Sequence, residues 1–224
     1  MTKKHIISPS ILSADFANLG LEVNDALNAG ATAIHFDVMD HHFVPNLTFG
    51  APICAALRKH GITAFIDAHL MVEKPEKFID EFAKAGANLL TFHPETTGDV
   101  DSTIDLILAS GMQAGLAFNP DKPVSVTPAQ LSKLSMLLIM SVFPGFGGQS
   151  FIPETLDKIA ATRILIDQHN PNCLLGIDGG VKVDNIGTIA KAGANFFIVG
   201  SGLFEAPDYA ERMQQLHQEI AKAV

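Results

Sequence analysis

The chain has 224 residues with 24 acidic against 15 basic side chains, a formal charge of −9, which argues against nucleic acid or an anionic membrane surface as the main partner. A hydrophobic share of 47% supplies a large core, yet no apolar stretch reaches the roughly 18 residues that a membrane span needs. Met1–Ser10 lacks the apolar run of a signal peptide, and Cys54 and Cys173 stand far apart, which fits two buried free thiols in a reducing cytoplasm.

No Pro/Gly/Ser-rich linker or charge block divides the chain, so residues 1–224 read as one domain. Ile6–Ser10 opens as an apolar, strand-like run. Asp15–Asn28 is patterned as a helix and is closed by Ala29-Gly30-Ala31, where glycine suits the left-handed position just past a helix end. Ala33–Val38 then reads as a buried parallel strand. A helix around Pro52–His60 precedes the strand Ala64–Met71. Helix Glu76–Ala85 ends on the same phrase, Ala85-Gly86-Ala87, and leads into strand Leu89–Phe92. Helix Val100–Ser110 and strands Gln113–Phe118 and Met136–Val142 follow. Helix Pro153–Gln168 leads to strand Leu174–Asp178, and a third phrase, Ala192-Gly193-Ala194, introduces strand Phe196–Val199. Tyr209–Ala223 is the closing helix. Eight strands alternating with helical stretches predict an α/β chain folded as a (β/α)8 TIM barrel, with an open doubly wound sheet as the structural alternative.

Side chains that do chemistry on such a barrel gather at the C-terminal ends of the strands. His35 and Asp37 are two apart and share a face, while Ile34, Phe36 and Val38 turn to the helices. The same parity turns Asp67, His69 and Met71 inward, and Asp178 ends its strand just before Gly179-Gly180. Two histidines and two aspartates at one mouth make a nitrogen/oxygen set suited to a divalent cation; an inward histidine also fits a hydrogen-bonded core. Buried carboxylates must neutralise or find a partner, and no inward lysine or arginine on these strands supplies one. Asp67 reads as a supporting carboxylate rather than a ligand. His93-Pro94-Glu95 stands alone on its strand and fits structural hydrogen bonding, with a catalytic role as the alternative, and His41 and His42 read as loop residues. Met39, Met71 and Met140 lie on the inward parity and fit either core filling or the lining of a site. Glycine-rich turns follow three late strands: Pro144-Gly145-Phe146-Gly147-Gly148-Gln149, Asp178-Gly179-Gly180 and Gly200-Ser201-Gly202. Glycine lets backbone N–H groups approach an anion, and loops after the seventh and eighth strands recur as phosphate sites in these barrels.

Six segments in order carry a resemblance. They are Ser8-Pro9-Ser10-Ile11-Leu12-Ser13-Ala14-Asp15-Phe16, His35-Phe36-Asp37-Val38-Met39-Asp40, Phe43-Val44-Pro45-Asn46-Leu47-Thr48, Asp67-Ala68-His69-Leu70-Met71-Val72, Pro144 through Gln149, and Asp178-Gly179-Gly180-Val181. Together they resemble the ribulose-phosphate 3-epimerase family along essentially the whole chain. The resemblance implies an isomerase of the pentose phosphate pathway that interconverts ribulose 5-phosphate and xylulose 5-phosphate, typically as a homo-oligomer. It implies one divalent ion per subunit (zinc, ferrous iron, manganese or cobalt) held by His35, Asp37, His69 and Asp178, with Asp37 and Asp178 as the acid–base pair. It further implies substrate contacts from Ser10, His69, Gly145, Phe146, Gly147, Gly148, Gly179, Gly180, Gly200 and Ser201, and a site lined by Met39, Met71 and Met140. Two positions depart from the family pattern: Phe143 stands where a polar residue is usual, and His41 replaces a small or polar one.

The two carboxylates have a physical logic of their own. Inverting C3 beside a C2 carbonyl removes a proton from one face and returns one to the other, which takes one ionised and one protonated acid. The resemblance also implies the five-carbon sugar over allulose 6-phosphate, the nearest alternative substrate, because the allulose-phosphate relatives tend to replace one of the glycines of Gly147-Gly148-Gln149. A lyase of this barrel type wants a lysine at a strand end, and none lies beside Asp37, His69 or Asp178. A non-catalytic phosphosugar sensor would keep the glycine loops without needing two opposed aspartates.

Overall fold

Apolar runs alternating with amphipathic stretches fold into eight parallel strands, β1 (Ile6–Pro9), β2 (Ala33–Met39), β3 (Phe65–Met71), β4 (Leu89–Phe92), β5 (Gln113–Phe118), β6 (Met136–Met140), β7 (Leu174–Asp178) and β8 (Phe196–Val199). The computed structural model describes residues 4–224, so the reading of Met1–Lys3 as free of a leader lies outside the described residues. Hydrogen bonding runs in the order β1-β8-β7-β6-β5-β4-β3-β2, and a parallel bridge between Ser10 and His35 brings β1 against β2. The ring is thereby nearly closed, as a barrel and not as an open sheet. Helices return the chain between strands: α1 (Leu19–Asn28), α2 (Ala51–Lys59), α3 (Ile79–Ala85), α4 (Val100–Ala109), α5 (Pro128–Lys133), α6 (Thr155–His169), α7 (Ile186–Ala192), α8 (Ser201–Phe204) and α9 (Tyr209–Ala223).

The Ala-Gly-Ala phrase closes three of these helices in one way. Gly30, Gly86 and Gly193 have φ of 109°, 90° and 117°, and the following alanine N–H reaches back to the carbonyl of Ala26, Phe82 or Ile189, which satisfies a carbonyl left over at the helix end. The asparagine that follows two of them adds a brace. Asn88 Oδ1 accepts from the Ile66 N–H and Asn195 Oδ1 from the Leu175 N–H, both at 2.8 Å.

Some boundaries differ from the sequence reading. The first helix begins at Leu19, because Asp15 accepts from the Ala17 N–H and holds Phe16–Asn18 as a separate 3-10 turn. Pro75–Lys77 is likewise a 3-10 turn entered through Lys74 at φ 58°, which splits the expected helix Glu76–Ala85. The helix expected over Pro153–Gln168 runs from Thr155 to His169. Strand β6 stops at Met140 instead of Val142, as the Ser141 carbonyl takes the N–H of the returning Ile152. Helices α5 and α7, too short to show a clear period, emerge only in three dimensions.

The core has two compartments, divided by side-chain parity. Ile34, Phe36, Val38, Ile66, Leu70, Phe92, Leu116 and Ile177 pack outward against the helices. Inside the barrel lie Ala33, Leu89, Ala117, Met136, Leu138, Phe196 and Ile198. Each fully buried Leu, Ile or Phe contributes about 1.5–3 kcal/mol, so the outward layer carries most of the stability and leaves the upper interior to polar groups. Glycine makes room there, since a Cβ on Gly115 would lie 2.5 Å from Thr91 Oγ1.

Candidate metal centre at the barrel mouth

Register converts strand parity into a site. β2 and β3 pair without stagger, so His35 stands opposite Asp67, Asp37 opposite His69, and Met39 opposite Met71. The ring returns Asp178, at the end of β7, to the same centre. His35 Nε2 lies 3.2 Å from Asp37 Oδ1 and 3.9 Å from Asp178 Oδ2, and His69 Nδ1 lies 3.3 Å and 3.7 Å from the same two atoms. One donor atom from each of these four residues lies within 4.8 Å of all the others. The set suits a divalent cation by its chemistry, with two imidazole nitrogens, two carboxylate oxygens and, among the described residues, imidazoles as the only ion partners of those carboxylates.

The floor fixes the ligand orientations. Asp67, fully buried, takes His35 Nδ1 at 2.7 Å, and Thr91 Oγ1 donates to its other oxygen at 3.3 Å. His35 therefore carries its proton on Nδ1 and turns Nε2 to the centre. Asp67 has the supporting place read from the sequence. Ser10 Oγ donates to Asp37 Oδ2 at 2.6 Å. Burial alone would raise the Asp37 carboxyl, but the charges and hydrogen bonds of His35 and His69 outweigh it and hold the group well below the usual carboxylate range. Asp178 goes the other way. Burial and then the Asp37 charge push it up to about 6, against the opposing pull of His35 and His69. His35 itself is raised well above its ordinary value, its two aspartate partners outweighing burial.

Above the centre opens a cavity. Ser10, Asp37, Asp178, Met39, Met71, Met140, Gly145–Gly148, Gly179, Gly180, Gly200 and Ser201 line it, whereas His35 and His69 are fully buried and are not among its lining residues. Met39 and Met71 pack with Val44, and Met140 belongs to the barrel interior. The loop after β6 is self-braced, Gln149 Nε2 donating to the carbonyls of Phe143 at 2.7 Å and Phe146 at 2.9 Å. Phe143 and Phe146 are both more than half exposed at this rim. His41 is exposed at φ 60° in the loop after β2.

Several supporting residues escaped the sequence reading. Ser141 Oγ donates to the Asp178 and Gly179 carbonyls at 2.9 and 2.6 Å and pins the end of β7. Thr48 Oγ1 donates to the Asp37 carbonyl at 2.8 Å and accepts the Met39 N–H at 3.0 Å. Asn46 Nδ2 reaches the Gly145 carbonyl at 2.9 Å and ties the β2 loop to the β6 loop. Asn46 and Thr48 stood in a quoted segment, but hydroxyl and amide side chains carry no periodic signal that would mark them. His93 is not alone, because its Nε2 lies 2.9 Å from His69 Nε2; a strand-by-strand reading has no means of seeing that neighbour.

Among the described residues, no helix is long and apolar enough to cross a membrane. The chain is 15% identical to 3-hexulose-6-phosphate synthase from Salmonella typhimurium, covering all of both chains with a TM-score of 0.66, a likeness of fold alone. It is 52% identical to the ribulose-phosphate 3-epimerase of Escherichia coli strain K12 over 98% of each chain. Against the Serratia marcescens enzyme of the same name it is 55% identical, covering 92% of this chain and 99% of the other. The family model for ribulose-phosphate 3-epimerases matches residues 6–204. That match spans every strand of the barrel and every residue around the His/Asp centre, so the chain belongs to the ribulose-phosphate 3-epimerase family.

Proposed function

We propose that this chain is an isomerase interconverting D-ribulose 5-phosphate and D-xylulose 5-phosphate, moving a proton between the faces of C3 through an enediolate, with Asp37 and Asp178 as its two acid–base groups. The observation that carries the reading is geometric: Asp37 Oδ1 and Asp178 Oδ2 converge on the same two imidazoles, at 3.2 and 3.9 Å from His35 Nε2 and 3.3 and 3.7 Å from His69 Nδ1. Asp37, ionised and oriented by Ser10 Oγ at 2.6 Å, removes the C3 proton from one face. Asp178 delivers its proton to the other, and the reverse reaction exchanges the roles. A divalent cation held by His35, His69, Asp37 and Asp178 would supply Lewis-acid stabilisation of negative charge developing on the substrate oxygens, worth several kcal/mol. Zinc, ferrous iron, manganese and cobalt all suit this donor set.

The backbone N–H groups around Gly179, Gly180, Gly200 and Ser201 hold the phosphate, and Gly145–Gln149 closes over the sugar to protect the enediolate from phosphate loss. Family membership further supports one domain over residues 1–224, working as a homo-oligomer in the cytoplasmic pentose phosphate pathway. Incubation with ribulose 5-phosphate in deuterated water tests the reaction, with allulose 6-phosphate run in parallel. Solvent deuterium at C3 of xylulose 5-phosphate is expected, and a chelator should stop its entry. Product without deuterium, or turnover indifferent to the chelator, refutes the mechanism.

A further inference from the structure

His93 at the end of β4 is fully buried and lies outside the set of four. Its ring stacks on that of His69, centroids 5.0 Å apart, and Phe43 covers it at 4.9 Å. A contact of 2.9 Å between the two Nε2 atoms is a hydrogen bond with one donor and one acceptor, so the proton positions of the two imidazoles are linked. The chain of contacts runs from Asp37 Oδ1, 3.3 Å from His69 Nδ1, to Glu95 Oε1, 3.9 Å from His93 Nδ1. Asn119 Nδ2 donates to that same Glu95 oxygen at 2.8 Å and anchors it. Among the described residues, His93 Nδ1 has no hydrogen-bond partner.

Two proton patterns satisfy the link between the rings. In the first, His69 is protonated on Nδ1 and His93 Nε2 donates, leaving a bare His93 Nδ1 lone pair facing the Glu95 carboxylate. In the second, His69 donates from Nε2, His93 presents Nδ1–H to Glu95, and the His69 Nδ1 lone pair faces the point where Asp37 and Asp178 converge. Only the second leaves His69 free to bind a cation. Asp37 Oδ1, 3.3 Å from His69 Nδ1, draws the proton towards the first pattern in the metal-free chain. A cation on Nδ1 requires the second, which the Glu95 charge then supports, because a carboxylate attracts an N–H and repels a lone pair.

We propose that His93 and Glu95 are positioning residues, His93 Nε2 accepting the His69 Nε2–H and Glu95 facing His93 Nδ1–H, that hold the His69 ring in place when its Nδ1 is a metal ligand. The inference rests on the metal-site reading above. Ligating histidines ordinarily donate to a carboxylate, carbonyl or water, as His35 does to Asp67 at 2.7 Å. An imidazole in that place orients His69 without adding a fourth carboxylate beside Asp37, Asp67 and Asp178.

Long-range proton–nitrogen NMR of the chelator-treated protein, titrated with zinc, reads the tautomers directly, and competition against a chromophoric chelator reads the affinity. Zinc should bind through His69 Nδ1, with His69 protonated on Nε2 and His93 on Nδ1. His93→Phe, which removes the acceptor, should weaken zinc binding about 10–100-fold with an unchanged far-UV circular dichroism spectrum. His93→Gln, whose amide oxygen can take the His69 proton, should recover most of that loss, and Glu95→Gln should cost a smaller factor. Zinc held through His69 Nε2, or His93→Phe binding zinc as tightly as the wild type, overturns the relay while leaving the metal site standing. Zinc that perturbs neither His35 nor His69 of the wild type overturns both. The wild-type spectrum decides by itself should His93→Phe not fold.

Discussion

Asp178 costs the fold stability near neutral pH, and removing its charge should restore it. Burial and the neighbouring Asp37 charge move its carboxyl from 3.8 to about 6, despite His35 and His69. The folded chain thus holds this proton more tightly than the unfolded chain does. Stability falls as pH rises from the ordinary carboxyl value through about 6, and the full penalty persists above it. At about 1.4 kcal/mol per unit, the interval amounts to about 3 kcal/mol. Asp178→Asn keeps the shape and removes the ionisation. In chelator-treated protein the variant should therefore exceed the wild type by about 3 kcal/mol at about pH 8, or ~6–12 °C in midpoint for a chain of this length. The gap should narrow as pH falls from about 6 and close below the unfolded value of 3.8, where the wild-type carboxyl is protonated in both states. Urea melts followed by circular dichroism across this range measure it. Asp37, held well below the usual carboxylate range, stays ionised in the folded chain across this window, so its own titration contributes little to the difference. The same variant should lose deuterium incorporation at C3. A variant no more stable than the wild type at the alkaline end, or a gap independent of pH, would refute the reasoning.

Other substitutions probe the support around the site. Gly180 has φ 63° and a Cβ there would run into the Phe151 backbone, so Gly180→Ala should cost about 2–4 kcal/mol and raise KM for ribulose 5-phosphate, read by denaturant melts and initial rates. Gly115→Ala should push Thr91 away from Asp67 and cost about 1–3 kcal/mol in the same melts. Asp67→Ala should weaken zinc or manganese binding about 10–100-fold in a chelator competition, because His35 loses the acceptor of its Nδ1–H; unchanged affinity would remove Asp67 from the site.

Local pattern carried much of this protein into view. Apolar runs and the Ala-Gly-Ala phrases marked the eight strands, and the two-residue parity of His35 with Asp37 and of Asp67 with His69 settled which face each occupies, because a strand alternates sides without reference to its neighbours. Asp15 and Lys74 show where that reading ran out: a side chain capping its own turn and a left-handed residue broke two helices whose apolar period ran through them. Parity says nothing of height. Only the unstaggered pairing of β2 with β3 set Asp37 against His69 and gave His35 the Asp67 carboxylate, and only the near-closure of the ring carried Asp178 to Asp37 across 141 positions of chain. Likewise, His93 gained its role from β4 lying beside β3. Register and closure depend on how all eight strands shear and twist together, a property that no single strand's residues contain.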